Sequence, residues 1–152
     1  MPIAEGIAAP DIELQTDQDQ PFSLRSLRGK NVVLFFYPKA DTPGCTAEAC
    51  EFRDAIPDFT GADAAVLGIS PDGVQAQAKF RKKYSLPFTL LCDTGHAVAE
   101  AYGVWVEKSM YGKKYMGIER TTFLIGPDGI IRKVFPKVKP AGHAAQVRAA
   151  LA

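Results

Sequence analysis

Short apolar runs alternate along the chain with longer stretches of mixed character, which are typical of helices. Apolar positions predict strands at 12–14, 31–37, 64–69, 88–91, 121–125 and 130–135. Mixed positions predict a helical turn at 23–27 and helices from 43 to about 59, after the turn at 70–73 to about 84, at 95–102 and at 141–150. The runs at 31–37 and 64–69 are apolar throughout, so we expect buried strands covered on both faces.

This order of elements predicts an α/β fold. Strands alternate with helices, and a hairpin around Gly126-Pro-Asp-Gly129 and a last helix follow. The order fits a thioredoxin-like core with an extra N-terminal segment, a mixed central sheet and flanking helices. Ser70 or Asp72 is expected to cap the helix that follows. Functional groups in such sheets gather at the carboxyl ends of parallel strands, so the segment after Tyr37 is a candidate site.

Length and composition narrow the class of protein. A chain of 152 residues with 47% hydrophobic residues predicts one domain, 1–152, with its own core. A formal net charge of +1 argues against nucleic acid as a partner. No apolar stretch reaches the length of a membrane span, and no secretory signal is evident. The three cysteines are therefore expected to be reduced thiols in the cytoplasm, and no paired zinc spacing indicates a metal.

Cys45 is the first candidate for chemistry. Thr42 followed by Pro43 predicts a helix N-cap and first helical residue, which puts Cys45 in the first, exposed turn. The helix dipole and the free N–H groups there favour a thiolate. A guanidinium is the usual charge partner, because it stays charged at any working pH. Sequence alone leaves the choice of arginine open, and Arg120 is favoured because it opens the strand at 121–125.

Cys50 follows Cys45 by five residues. In an α-helix this spacing separates the two Cα atoms by roughly 8–9 Å, whereas a disulfide needs them within about 7 Å. The two residues therefore cannot be helical and bonded at the same time. Glu48, Glu51 and Asp54 predict a solvated side to this helix, so local opening is plausible. A pair that meets only by local unfolding is more typical of a catalytic disulfide than of a structural one.

The pattern Pro38-x-x-x-Thr42-x-x-Cys45, with Cys50 beyond it, resembles the active site of the peroxiredoxins, and in particular the bacterioferritin comigratory protein, or Q-type, subfamily. The resemblance covers nearly the whole chain. Its further segments are Leu27-Arg-Gly-Lys30, Leu86-Pro-Phe-Thr-Leu90, Tyr102-Gly-Val-Trp105, Met110-Tyr-Gly-Lys113, Met116-Gly-Ile-Glu-Arg120 and Thr122-Phe-Leu-Ile125.

The resemblance implies a thiol peroxidase that reduces hydrogen peroxide and organic hydroperoxides. Cys45 would be the peroxidatic cysteine, and Cys50 would resolve its sulfenic acid as an intramolecular disulfide. Arg120 would pair with the thiolate and the peroxide, Thr42 would orient the peroxide, and Pro38 would shield the pocket from water. The resemblance also implies a monomer, thioredoxin or a glutaredoxin-like dithiol protein as reductant, and no cofactor.

Other interpretations remain open at this point. Cys92 ends an apolar strand and is interpreted as a core residue, although some relatives place the resolving cysteine elsewhere. A thioredoxin-like disulfide oxidoreductase would need Cys-x-x-Cys, which the chain lacks. A peroxide sensor or chaperone-like redox switch would use the same Cys45 without turnover.

Overall fold

A seven-stranded sheet forms the centre of the computed structural model, which describes residues 2–151. The strands are β1 (Glu13–Thr16), β2 (Pro21–Ser23), β3 (Asn31–Phe36), β4 (Ala64–Ser70), β5 (Thr89–Cys92), β6 (Trp105–Met110), β7 (Lys113–Ile118), β8 (Thr121–Ile125) and β9 (Ile131–Phe135). The helices are α1 (Pro43–Gly61), α2 (Val74–Tyr84), α3 (Ala97–Ala101) and α4 (His143–Ala150), and Leu24–Leu27 forms a 3₁₀ turn.

The sheet has the order β2-β1-β5-β4-β3-β8-β9, and β6 and β7 form a separate hairpin. Strands β3, β4 and β5 are parallel, while β1, β8 and β9 join antiparallel to their neighbours. The prediction of a mixed sheet is therefore confirmed, and β1 and β2 are the extra N-terminal segment. The parallel strands carry their carboxyl ends to one edge, and α1 begins there.

Two apolar layers cover the sheet, because successive side chains of a strand point to opposite faces. Val33, Phe35 and Tyr37 pack with α1, α2 and α4 on one face. Val32, Leu34 and Phe36 pack with α3 and the N-terminal segment on the other. Every residue from Val32 to Tyr37 is buried, which confirms the prediction of a central strand covered on both sides.

One prediction of local structure was wrong: Gly73, not Ser70 or Asp72, is the N-cap of α2, and it makes no side-chain capping bond. The hairpin of β6 and β7 was not predicted, because its strands are mostly exposed and have no continuous apolar run. Its two-residue turn, Tyr111-Gly112, has positive φ at both residues, which is the geometry of a type I′ turn. None of the helices among residues 2–151 is long and apolar enough to span a bilayer.

Candidate active site

The start of α1 leaves backbone donors unused by the helix. Thr42 is the N-cap and Pro43 the first helical residue, as predicted, but the Thr42 side chain makes no capping bond. Its hydroxyl instead donates to the carbonyl of Lys39 at 2.8 Å. The first intrahelical bond runs from the N–H of Thr46 to the carbonyl of Thr42 at 2.8 Å. The N–H groups of Gly44 and Cys45 therefore precede the helical ladder, and the site can use them.

Cys45 is 1% exposed, so the expectation of an exposed first turn was wrong. Cys45 belongs to the apolar cluster between the sheet and α1, which also contains Tyr37, Ala49 and Phe52. The reason is that α1 starts at the sheet edge and immediately crosses the sheet face. Burial removes water that would otherwise compete for the sulfur, so contacts with protein donors count for more.

Arg120 donates from Nη2 to the sulfur of Cys45 at 3.2 Å. Arg120 lies between β7 and β8, directly before Thr121, so the arginine favoured from the sequence is the one that the fold brings to the thiol. A guanidinium N–H at this distance stabilises negative charge on the sulfur. Gly44 leaves room for this approach, since a Cβ at this position would lie 3.2 Å from Nη2, a tight contact.

The same guanidinium donates from Nη1 to Oε1 of Glu48 at 2.8 Å. Burial raises the pKa of Glu48 to about 7, although Arg120 opposes this effect. Burial alone would lower the pKa of Arg120, but Glu48 and Cys45 together raise it above its ordinary value. Arg120 is thus a permanent cation that bridges two acidic groups.

Glu48 is a site residue that the sequence analysis misplaced. The prediction of a solvated side holds for Asp54, which is exposed, but Glu48 is fully buried. Residues three apart lie on one face of a helix, so the spacing from Cys45 to Glu48 was a signal for shared surroundings. Only the fold, however, places Arg120 against that face.

Pro38 lies two residues after the end of β3 and is half-buried, which puts it in the loop that leads to Thr42 and Cys45. All five residues singled out from the sequence therefore lie on the loop after β3, on α1 or directly before β8. Arg120 and Cys45 are in direct contact. Thr42 and Pro38 share the loop, and Cys50 lies further along α1.

Cys50 lies within the continuous helix α1, and both Cys45 and Cys50 are free thiols. Cys50 is half-buried. This is the arrangement that the spacing argument predicts when the two sulfurs are not bonded, because an intact helix holds them too far apart.

Cys92 is 6% exposed at the end of β5, which confirms its interpretation as a core residue. Burial raises the pKa of Cys92 to about 11, and nearby Asp17 and Asp72 add to the rise. The thiol is therefore protonated at neutral pH, and Cys92 is a poor nucleophile.

Lys108 on β6 is a second cation near the site. The methylene groups of Lys108 pack against Gly117 of β7, since a Cβ placed on Gly117 would lie 3.4 Å from Cδ of Lys108. Burial lowers the pKa of Lys108, and the charge of Arg120 lowers it further, while Cys45 acts in the opposite direction. Among residues 2–151 no cluster of three or more His, Cys, Asp or Glu side chains could hold a metal ion.

A buried cysteine at a helix start, bonded to an arginine on a thioredoxin-like sheet, is the arrangement of a thiol peroxidase. The family model of the AhpC/TSA family matches residues 6–134. The chain belongs to this family, and its relatives are peroxiredoxins of the Bcp, or Q, type.

Curated relatives align over almost the whole chain. The putative peroxiredoxin bcp of Coxiella burnetii is 55% identical over 97% of both chains. The peroxiredoxin Bcp of Bacillus subtilis is 49% identical over 96% of this chain and 93% of its own.

A solved structure of Xanthomonas campestris peroxiredoxin Q superposes with a TM-score of 0.91 and 40% identity, and covers 97% of this chain and 96% of its own. A further structure of that bacterium's bacterioferritin comigratory protein, described for its alkyl peroxide reduction activity, has a TM-score of 0.91 and 39% identity, with 97% of each chain covered.

Proposed function

We propose that this protein reduces hydrogen peroxide and organic hydroperoxides with Cys45 as the nucleophile. The contact of 3.2 Å between Arg120 Nη2 and Cys45 Sγ carries the proposal, because it supplies a fixed positive charge to a buried sulfur. The thiolate attacks the terminal oxygen of R–O–OH and the O–O bond breaks. The products are Cys45–S–OH and RO⁻, and the alkoxide takes a proton from water to give ROH.

Charge develops on the departing oxygen, and donors fixed beforehand lower that barrier. Such donors are the guanidinium of Arg120 and the N–H groups of Gly44 and Cys45, because the protein holds them in position before the substrate binds. Thr42 donates its proton to Lys39, so its hydroxyl oxygen is left to accept a hydrogen bond from the peroxide O–H. Pro38 limits access of water to the pocket.

In the second step the thiol of Cys50 attacks the sulfenic acid. A disulfide between Cys45 and Cys50 forms and water leaves. Because both residues are helical in the reduced protein, the first turns of α1 must open before the sulfurs meet. A dithiol donor then reduces the disulfide by exchange, is itself oxidised to a disulfide, and restores both thiols.

Thioredoxin or a glutaredoxin-like protein is the reductant that this chemistry fits, because a dithiol can complete two exchanges on one disulfide. The alkyl peroxide activity named for the Xanthomonas campestris relative supports organic hydroperoxides as substrates. We further propose that the protein works as a monomer of one domain in the cytoplasm, where thiols are kept reduced.

A coupled assay tests the proposal. Peroxide, thioredoxin, thioredoxin reductase and NADPH are mixed with the protein, and oxidation of NADPH is followed. Cys45→Ser is expected to abolish turnover, and Cys50→Ser to consume about one equivalent of peroxide and then stop. Cys92→Ser, the matched control, is expected to keep turnover because that thiol is buried and protonated.

Each assignment has an outcome that contradicts it. Full turnover by Cys45→Ser would refute the peroxidatic role, and full recycling by Cys50→Ser would refute the resolving role. A wild-type protein that stops after one equivalent, with the complete reducing system present, would indicate a sensor or redox switch.

A further inference from the structure

A series of buried and partly buried hydrogen bonds leads from the sheet to the loop in front of Cys45. Gln77 on α2 is fully buried, and its Nε2 donates to the carbonyl of Leu91 at 2.9 Å and to Oγ of Ser70 at 3.0 Å. Ser70 donates to Oδ2 of Asp72 at 2.7 Å. The same Asp72 oxygen accepts the backbone N–H of Ala40 at 2.7 Å.

The numbers of donors and acceptors fix which group donates and which accepts in each of these hydrogen bonds. Both protons of the Gln77 amide are used, and Tyr37 donates its hydroxyl to the Gln77 oxygen. Ser70 has one proton, which goes to Asp72, while its oxygen accepts from Gln77 and from the N–H of Asp72 at 3.2 Å. A network in which each group is satisfied has one low-energy arrangement, so it orients Asp72 rigidly.

The bond to Ala40 lies in the middle of the loop 38–42. On one side, Pro38 follows β3. On the other, Thr42 donates to Lys39 and begins α1. The loop is also held at the next residue, where the carboxylate of Asp41 accepts hydrogen bonds from Lys83 at 2.9 Å and from Tyr84 at 2.7 Å. These contacts of Asp41 are exposed to solvent, so they hold the loop less strongly than the partly buried hydrogen bond at Ala40.

We propose that Asp72 is a positioning residue for peroxide reduction: by holding the N–H of Ala40, it sets the loop 38–42 so that the Thr42 hydroxyl meets the peroxide at Cys45. The inference rests on the proposed function. Asp72 does not touch Cys45, and it acts through the loop. A displacement of a catalytic group by about 1 Å can cost on the order of 100-fold in rate, so one backbone bond can matter for activity more than for folding.

Two reactions of the same sulfur separate positioning from general damage. Oxidation by hydrogen peroxide needs both the thiolate and a correctly placed Thr42. Alkylation by iodoacetamide needs the thiolate but no hydrogen bond to Thr42. Both rate constants are measured at Cys45 by rapid quenching and peptide mass spectrometry in wild type, Asp72→Ala, Asp72→Asn and Ser70→Ala. Asp11→Ala is the matched control, because Asp11 also accepts a backbone N–H, from Ile12 at 3.0 Å.

Asp72→Ala is expected to slow oxidation by about tenfold or more while alkylation changes by less than about twofold. Asp72→Asn is expected to recover most of the loss, because an amide oxygen has two lone pairs and can accept both bonds. Ser70→Ala keeps the Asp72 side chain but removes the hydrogen bond that orients it. It is expected to slow oxidation by less than Asp72→Ala does, again with little change in alkylation. Asp11→Ala is expected to leave both rates unchanged.

Three results would overturn the inference: an unchanged oxidation rate in Asp72→Ala, equal losses of oxidation and alkylation, or no recovery in Asp72→Asn. If Asp72→Ala does not fold, the ratio of the two rates in Ser70→Ala decides the matter. Normal oxidation in Asp72→Ala together with an inactive Cys45→Ser would remove only this inference. Peroxide turnover by Cys45→Ser would remove the proposed function itself.

Discussion

Arg120 joins two acidic side chains through separate nitrogens of one guanidinium. Nη2 donates to Cys45 and Nη1 donates to Glu48. The planar fork presents two N–H donors on separate nitrogens in fixed directions, whereas the ammonium of a lysine is one compact charge on a flexible stem. The geometry of the fork, as well as its charge, therefore contributes to the site.

Replacement of Arg120 by Lys tests this point. We expect Arg120→Lys to slow the oxidation of Cys45 by hydrogen peroxide by on the order of 100-fold, comparable to the loss of one fixed donor in other active sites. The measurement is the second-order rate constant from stopped-flow mixing. Arg25→Lys is the control, because that arginine pairs with Asp11, outside the site. Equal rates for Arg120→Lys and wild type would show that charge alone suffices.

Glu48 makes stability depend on pH. Burial raises its pKa from 4.5 to about 7, so the folded protein binds a proton that the unfolded chain has already released between these values. The contribution of protonated Glu48 is complete below pH 4.5 and is lost as pH rises through about 7. The shift corresponds to roughly 3 kcal/mol.

Glu48→Gln should remove this dependence. We expect the free energy of unfolding of wild type, relative to Glu48→Gln, to fall as pH rises from 4.5 to 7, because glutamine stays neutral. Urea unfolding at several pH values measures it. Asp54→Asn is the control, since Asp54 is exposed on the same helix. A constant difference between wild type and Glu48→Gln over this range would contradict the assignment.

At the scale of the element, the first turn of α1 contains a glycine that lowers helix stability but lets Arg120 approach the sulfur of Cys45. Gly44 is a poor helix former, but a Cβ there would lie 3.2 Å from Nη2 of Arg120, so the guanidinium would have to move. Glycine at this position therefore serves the contact between Arg120 and Cys45.

Gly44→Ala should separate stability from activity. We expect peroxide reduction to fall by about tenfold while the melting temperature stays the same or rises, because alanine favours the helix. Gly61→Ala is the matched control on α1, since a Cβ there meets nothing within 4 Å. Full activity in Gly44→Ala would mean that Arg120 adjusts without cost.

At the scale of the molecule, oxidation of Cys45 is expected to change contacts of α1 with other helices. The carboxylate of Glu51, next to Cys50, accepts the N–H of Gly142 at 2.9 Å, just before α4. Arg53 donates to the carbonyl of Tyr84 at 2.8 Å, at the end of α2. Opening the first turns of α1 to form the disulfide must disturb the first of these contacts and strain the second.

Hydrogen exchange measures this opening. After one equivalent of peroxide, we expect faster amide exchange at 46–51 and at Gly142 than in the reduced protein, because the bonds that protect these amides are lost. Cys50→Ser should show no such change, since its sulfenic acid has no partner at 50. A disulfide that forms while exchange at 46–51 stays slow would contradict the opening of α1.

Local patterns carried much of the fold. The apolar run at 31–37 predicted β3, and Thr42-Pro43 predicted the start of α1, because both depend on neighbours in sequence. The hairpin of β6 and β7 was missed, since exposed strands with lysine and glutamate lack the apolar signal, although Tyr111-Gly112 marks its turn. The single-domain boundary 1–152 and the roles of the five site residues stay predictions.

The sequence by itself determined that a cysteine stands at a helix start after a buried strand, and that Cys50 is too far along an intact helix to bond with it. These conclusions follow from the apolar run, the capping pattern of Thr42-Pro43 and helix geometry, which are local. Only the tertiary structure decided that Cys45 and Glu48 are buried, that Arg120 reaches both, and that Asp72 holds Ala40. Burial and contacts between distant residues depend on how the elements pack against one another, and no local pattern encodes that.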